Sequence, residues 1–391
     1  VHVAAIVLGI VVIAVVVWDA FETVLLPRRV SRRLRLSSIF LEGLWLAWTF
    51  IGRRIGALGR SAENYLSLYA MLALLMLFAL WVSAVAVGYA LIDYGLGHAY
   101  SPHIGVAGFG QDLYVSGTTI FTLGLGDIVP IIPWARAVTV LEAGTGLTFL
   151  ALVIAYLPVL YQSFSRRELE IALLDEWAGT PPTGVDLLRR AARDGSLEDL
   201  TDFFHGWEHW AADILESHVS FPILGYFRSQ HDNQSWLAAM TAVLDASALC
   251  MVGVAGVKVA PARRAFAMNR HAAVDLSQVL GAAPHLPEPG RGLDHAAAAD
   301  THDGAKGGES GSSDGRTGVT LRDLRNLLRA AGIGIEVHAV NERRFASMRR
   351  AYEPYVEALS VRLMMPLPPL LMTEAPGDNW LSSPWEVRSA P

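Results

Sequence analysis

Three long apolar stretches constrain this chain more than any other feature: residues 1–26, 65–92 and 134–164 are each long enough, as helices, to cross a hydrocarbon core of about 30 Å. A backbone in hydrocarbon must satisfy its own hydrogen bonds, so such stretches fold as α-helices. Only 17% of the 391 residues are charged, too few for an ordinary soluble protein, yet the chain is too long to lie in a membrane throughout. A membrane region and a soluble region follow. Up to Phe164 there are nine arginines against eight Asp and Glu, so the net charge of −6 resides in the remainder. That remainder has no basic face of the kind that binds nucleic acid.

Arginine sets the orientation. Eight arginines (Arg28, Arg29, Arg32, Arg33, Arg35, Arg53, Arg54, Arg60) lie between the first two spans, whereas residues 93–133 hold no Lys or Arg. The basic stretch is therefore cytoplasmic, which puts the N-terminus outside, the C-terminus inside and Arg166 and Arg167 just past the last span. Lys258 and Lys306 are the only lysines while Arg and Ala abound, the bias of a GC-rich prokaryotic genome, so the expected location is the inner (cell) membrane. Residues 3–18 have the apolarity of a signal peptide without a basic lead or a small-residue cleavage site, and are expected to be a retained helix. Asp19 and Glu22 share a helix face near its end and are expected to pair with Arg28 and Arg29. Residues 36–51 are too short to span, contain Glu42, and repeat Leu44, Trp45, Trp48 and Ile51 at helical spacing; an amphipathic helix on the inner leaflet is expected.

Beyond Phe164 apolar residues recur every three or four positions in 166–177, 185–193, 197–218, 234–280, 321–331 and 335–363, the pattern of soluble helices. Residues 282–318 are rich in Gly, Ala, Ser, Asp and Pro without an aromatic, and are read as a disordered linker. The organisation is thus 1–26, a transmembrane helix; 27–64, a basic linker with an interfacial helix; 65–164, two spans with a loop between them; 165–281, a cytoplasmic helical domain; 282–318, the linker; and 319–391, C-terminal helices and a tail. The fold class is an all-α membrane protein with a soluble helical domain. Cys250 is the only cysteine, which excludes an intrachain disulfide and a multi-cysteine zinc site; it is expected to be a small buried hydrophobe.

The loop between the second and third spans contains QDLYVSGTTIFTLGLGDIVP, Gln111 to Pro130. Here the chain resembles the potassium-channel superfamily, whose pore helix ends in threonines before a filter usually written TVGYGD. The matching residues are Thr122, Leu123, Gly124, Leu125, Gly126 and Asp127, and the resemblance covers about residues 65–164. It implies a pore domain with a re-entrant loop, in which backbone carbonyls of Thr122 to Leu125 replace the water around a cation. Gly124 and Gly126 allow the positive backbone angles this requires, and the short helix from Leu113 to Ile120 would direct its negative end at the cavity. One loop per chain implies a homotetramer in the lipid bilayer, with potassium ions in the filter and no other cofactor. Two positions depart from the family: Leu123 stands where Val is usual and Leu125 where an aromatic residue is usual. The latter lacks the hydroxyl that braces resembling filters, so potassium-selective and non-selective monovalent conduction both stay open, as does a non-conducting scaffold.

In the third span Gly144 and Gly146 stand where resembling channels bend, and Pro158 removes a backbone donor near the cytoplasmic end; each is a hinge or packing candidate. Glu142, an intramembrane carboxylate, is expected to line the cavity, with a hydroxyl or Arg136 as the alternative partner. In the soluble region HGWEH (His205, Glu208, His209) matches a zinc-peptidase pattern, but Gly206 weakens the helix it needs. A regulatory metal site on His205 and His209, with Asp202 or Asp213, is the stronger metal reading, and a Trp-rich packing helix is stronger still. No strand precedes a GxGxxG and no span carries periodic arginines, so the expected cytoplasmic ligand is unidentified and no enzyme activity is expected.

Overall fold

The structure, a computed structural model, describes residues 2–24, 35–57, 62–97, 100–101, 108–195, 197–230, 233–285, 321–335 and 338–370. Arg28, Arg29, Arg32, Arg33 and Arg60, the linker from residue 286 and the tail beyond Leu370 lie outside the described residues. The chain divides into two units, Val1–Ser163 and Phe164–Pro391.

The first unit is built from α1 (Val3–Val24), α2 (Leu36–Ala57), the short α3 (Glu63–Ser67), α4 (Tyr69–Leu96), α5 (Phe109–Ile120) and the first part of α6 (Pro133–Ala178). Helix α1 lies against α4 with almost no space between their backbones. A Cβ added at Gly9 would sit 2.4 Å from the Gly88 carbonyl oxygen, and one at Gly95 would sit 2.4 Å from Ile6 Cγ1. Small residues permit such approach in a membrane, where dispersion and not water drives helices together. Near the other end of α1, Asp19 is 4% exposed and accepts from the Ser37 amide and hydroxyl (3.1 Å each) and from Trp81 Nε1 (2.9 Å), tying α1, α2 and α4 together. Glu22 accepts from Trp18 Nε1 at 2.8 Å and lies 4.0 Å from Arg35 Nε. The acids therefore use neutral donors and Arg35; the arginines expected to pair with them lie outside the described residues.

Helix α2 runs six residues past the expected end at Ile51. Trp45 meets Tyr69 edge-on and Trp48 stacks on Tyr65, both at 4.6 Å between ring centroids, and the Tyr69 hydroxyl donates to the Leu41 carbonyl at 2.7 Å. These aromatic contacts hold α2 beside the start of α4 and leave Ile39, Leu46 and Phe50 exposed in the single chain. Among the described residues, four helical runs are long and apolar enough to cross a membrane: α1, Glu63–Leu96, α6 and α9 (Trp236–Gly253). The last is buried over nearly its whole surface inside the second unit, so it is read as that unit's core helix.

Around α9 the second unit arranges α7 (Gly184–Arg193), α8 (Leu200–Ser220), α10 (Val259–Val279), α11 (Leu321–Ala330), α12 (Ala339–Arg350) and α13 (Glu353–Leu363). Side-chain caps fix two starts: Thr183 accepts from the Asp186 amide and Ser235 from that of Ala238, both at 3.0 Å. The periodic run 234–280 is two helices, not one. Gly253 and Gly256 take φ of 121° and 85°, and Ala255 N donates to Gly334 O at 2.8 Å, so the chain turns there and α10 folds back. The run 335–363 likewise divides before Tyr352, which is fully buried and donates to Asp245 in α9. In contrast, the expected span 134–164 and the expected soluble helix 166–177 are one helix, α6.

Arg167, on α6 in the second unit, is 1% exposed. Its guanidinium donates to the Leu224 and Phe227 carbonyls at 2.9 Å each and to Glu168, and it meets His218 Nε2 at 3.2 Å. Since arginine only donates, the facing His218 nitrogen carries a lone pair and the ring is neutral. Burial, and then the Arg167 charge, hold His218 well below the usual histidine range.

Candidate functional site

The Gly-rich loop is held by α5. This helix packs on α4 through Ser116 and Val115, and Phe109 meets Tyr94 edge-on at 6.1 Å. At its C-terminus the Thr118 carbonyl accepts from both Leu123 N (2.7 Å) and Gly124 N (3.3 Å), while Thr122 N donates to Thr119 O at 3.0 Å. The loop thus leaves the helix under backbone control. Thr122, Gly124 and Gly126 take φ of 58°, 51° and 77°, so left-handed residues alternate with residues of negative φ. For the glycines this is unstrained; for Thr122 it is a conformation that needs outside support.

Residues 121–127 are all exposed in the single chain, with Leu123 and Leu125 at 62% and 65%. Asp127 accepts from the Tyr114 hydroxyl at 2.9 Å, so an acid beyond the filter is tied to the helix before it. Past Asp127 the chain returns through a bridge between Tyr100 and Pro130 and a small core of Tyr100, Val115 and Ala135. Residues 121–126 are therefore suspended between two fixed points, the Thr118 carbonyl and the Asp127 carboxylate. The sequence analysis does not name Tyr114; a phenol in the pore helix ahead of the loop is the signal that could have found it.

Two glycines expected to act alike differ. A Cβ at Gly144 would meet nothing within 4 Å, whereas one at Gly146 would lie 2.4 Å from the Ile120 carbonyl oxygen. Gly146 is the seat of the end of α5 and so a packing residue, while Gly144 faces open space. Pro158 lies inside α6, which continues through it. Glu142 does not line open space as expected. It is fully buried between α6 and α5 and contacts the Ser116 hydroxyl, which also lies 2.8 Å from the Ala86 carbonyl. The reason is rotational: one residue's difference along α6 turns a side chain about 100°, from the open face that carries Leu141 to the face that meets α5.

In the second unit the His205 and His209 rings lie 4.6 Å apart on α8, but Glu208 is held by Arg264 at 3.1 Å and Asp213 by Arg166 at 3.3 Å. Among the described residues no three His, Cys, Asp or Glu side chains gather to hold a metal. The expected site at His205 and His209 therefore gathers no third ligand among the described residues: Asp213 faces Arg166, and Glu208, 3.7 Å from His205 Nδ1, also faces Arg264. Trp207 and Trp210, buried and 4.5 Å apart, make this face a packing surface. Cys250 is buried in α9, and burial pushes its thiol up.

Comparison with known proteins agrees with the loop's geometry. Residues 73–162 match a family described as Ion channel. An uncharacterized membrane protein of Bacillus subtilis, YdjJ, is 23% identical over 206 residues, which is 51% of this chain and 57% of that protein. The match thus spans little more than half of the relative's length. No solved structure matches. Residues 73–162, two apolar helices with a helix and Gly-rich loop between them, are a pore-loop segment of the ion-channel family within the potassium-channel superfamily.

Proposed function

We propose that this chain is one subunit of a homotetrameric channel that conducts potassium, or monovalent cations more broadly, through carbonyls of Thr122, Leu123, Gly124 and Leu125. The observation that carries the reading is the loop itself: alternating left-handed residues tethered at Thr118 and Asp127, exposed in one chain and therefore free to face three others. Such a backbone turns successive carbonyls to one side, which is what a dehydrated cation needs. The segment's own apolar helices supply the bilayer anchorage. The arginine bias supports an N-terminus outside and a second unit in the cytoplasm, where it would meet an unidentified ligand.

Leu125 decides between the two ion readings. Its aliphatic side chain cannot donate a hydrogen bond, so the brace at the outer mouth rests on Tyr114 and Asp127. Potassium over sodium flux in liposomes, with Gly124→Ala as the pore control, tests the proposal. Flux that survives Gly124→Ala sinks it, because a methyl group strains a residue at φ of 51° and would crowd the axis that four loops share.

A further inference from the structure

Glu142 and Ser116 present a count of protons that closes in only one way. The Ser116 oxygen lies against two acceptors at once, the Ala86 carbonyl at 2.8 Å and a Glu142 carboxyl oxygen, yet a hydroxyl owns a single hydrogen. If Glu142 were ionised, one of these two contacts would press two oxygens together with no hydrogen between them. With the proton on Glu142 the contacts form a relay: Glu142 donates to Ser116, and Ser116 donates to Ala86. Glu142 and Ser116 are both fully buried within one chain. The other Glu142 oxygen, Oε2, is buried with no hydrogen-bond partner among the described residues, a costly state for a carboxylate and a tolerable one for a neutral acid.

Among the described residues no cation faces Glu142. The titratable groups that face it there are Asp93 and Tyr89 from α4 and Tyr100 from the segment after it, and Asp112 of α5 lies near Asp93. Asp93 is itself 1% exposed, with Oδ2 accepting from the Tyr100 hydroxyl at 2.8 Å and Oδ1 buried without a partner among the described residues. Two buried acids, each with such an oxygen, and no positive charge among the described groups around them disfavour a second negative charge beside the first.

We propose that Glu142 is a protonated positioning residue that braces the pore helix, and that loss of its proton at alkaline pH closes the filter to ions. The inference rests on the pore reading given above. The relay joins α6 to α5 and α5 to α4, two residues before the Thr118 carbonyl that holds the Leu123 and Gly124 amides. When the proton leaves for solvent base, the Ser116 hydrogen turns to the carboxylate, Ala86 loses its donor, and α5 loses its tie to α4. A negative charge also appears behind the loop.

Two measurements on the full-length protein test this. Infrared spectroscopy with isotope-labelled glutamate should give a protonated carboxyl band at neutral pH that Glu142→Gln removes; its absence from the unsubstituted protein overturns the proposal whatever the flux. In liposomes, potassium flux should fall on the order of tenfold from mildly acidic to alkaline buffer, the scale of one lost buried hydrogen bond. Glu142→Gln, whose amide donates at every pH, should keep its flux in alkali, while Glu142→Ala and Ser116→Ala should be low throughout. The same pH profile in Glu142→Gln as in the unsubstituted protein overturns the proposal. An infrared band without flux in any variant would uphold the protonated brace and count against the pore reading instead.

Discussion

Tyr114 donates one exposed hydrogen bond to Asp127, and this bond stands where the loop has few other side-chain supports. A hydrogen bond from a neutral phenol to a carboxylate is stronger than one between neutral groups, and weaker in water than where shielded. Tyr114→Phe is therefore expected to leave the protein folded while lowering the potassium-to-sodium flux ratio several-fold, read as paired ion uptake into liposomes. At His218 the expectation concerns stability. Its folded pKa lies well below the ordinary value of about 6.5, so the unfolded chain binds more protons as pH falls. Stability is full above about pH 6.5 and is lost below it, at up to about 1.4 kcal/mol per pH unit, until the folded pKa is reached. Thermal unfolding of the full chain in detergent, followed by tryptophan fluorescence, should show this acid slope, and His218→Gln, which keeps an acceptor for Arg167, should flatten it. The filter residues were legible in the sequence because glycine spacing reports backbone angles directly. Glu142 was legible only as a costly residue: its partner Ser116 lies 26 residues earlier, and no local pattern tells which face of α6 meets α5.

Between helices the glycines divide into seats and spacers. Ala at Gly9 would put a methyl 2.4 Å from the Gly88 carbonyl oxygen, so Gly9→Ala is expected to push α1 off α4 and cost about 1–3 kcal/mol, seen as a lower melting temperature in detergent. On α6, Gly146→Ala should abolish flux by displacing the end of α5, whereas Gly144→Ala, which meets open space, should retain it. Loss of flux in both would show that Gly144 supplies bending as well. Element existence was readable from apolar periodicity, since a stripe at helical spacing needs no tertiary knowledge. Breaks and joins were not. The turn at Gly253–Lys258 depends on a backbone contact with Gly334, and α6 runs on across Ser163 even with Pro158 inside it. The burial of α9 was also hidden, because an 18-residue apolar helix reads alike in a membrane or a core.

For the whole molecule, one unit carries the Gly-rich loop and the other a helical domain with α9 as its core. The loop's exposed side chains and open glycines leave one surface of a single chain unfinished, which four copies around an axis would complete. Within the second unit, Arg167 ties the end of α6 to the carbonyls of Leu224 and Phe227. The most direct test of the account is uptake of potassium and of sodium into liposomes containing the full-length protein, with Gly124→Ala alongside. The account predicts uptake that favours potassium, or admits both cations, and disappears in Gly124→Ala. Uptake of equal size in the substituted protein would contradict it, since ions would then be crossing by a route other than the loop.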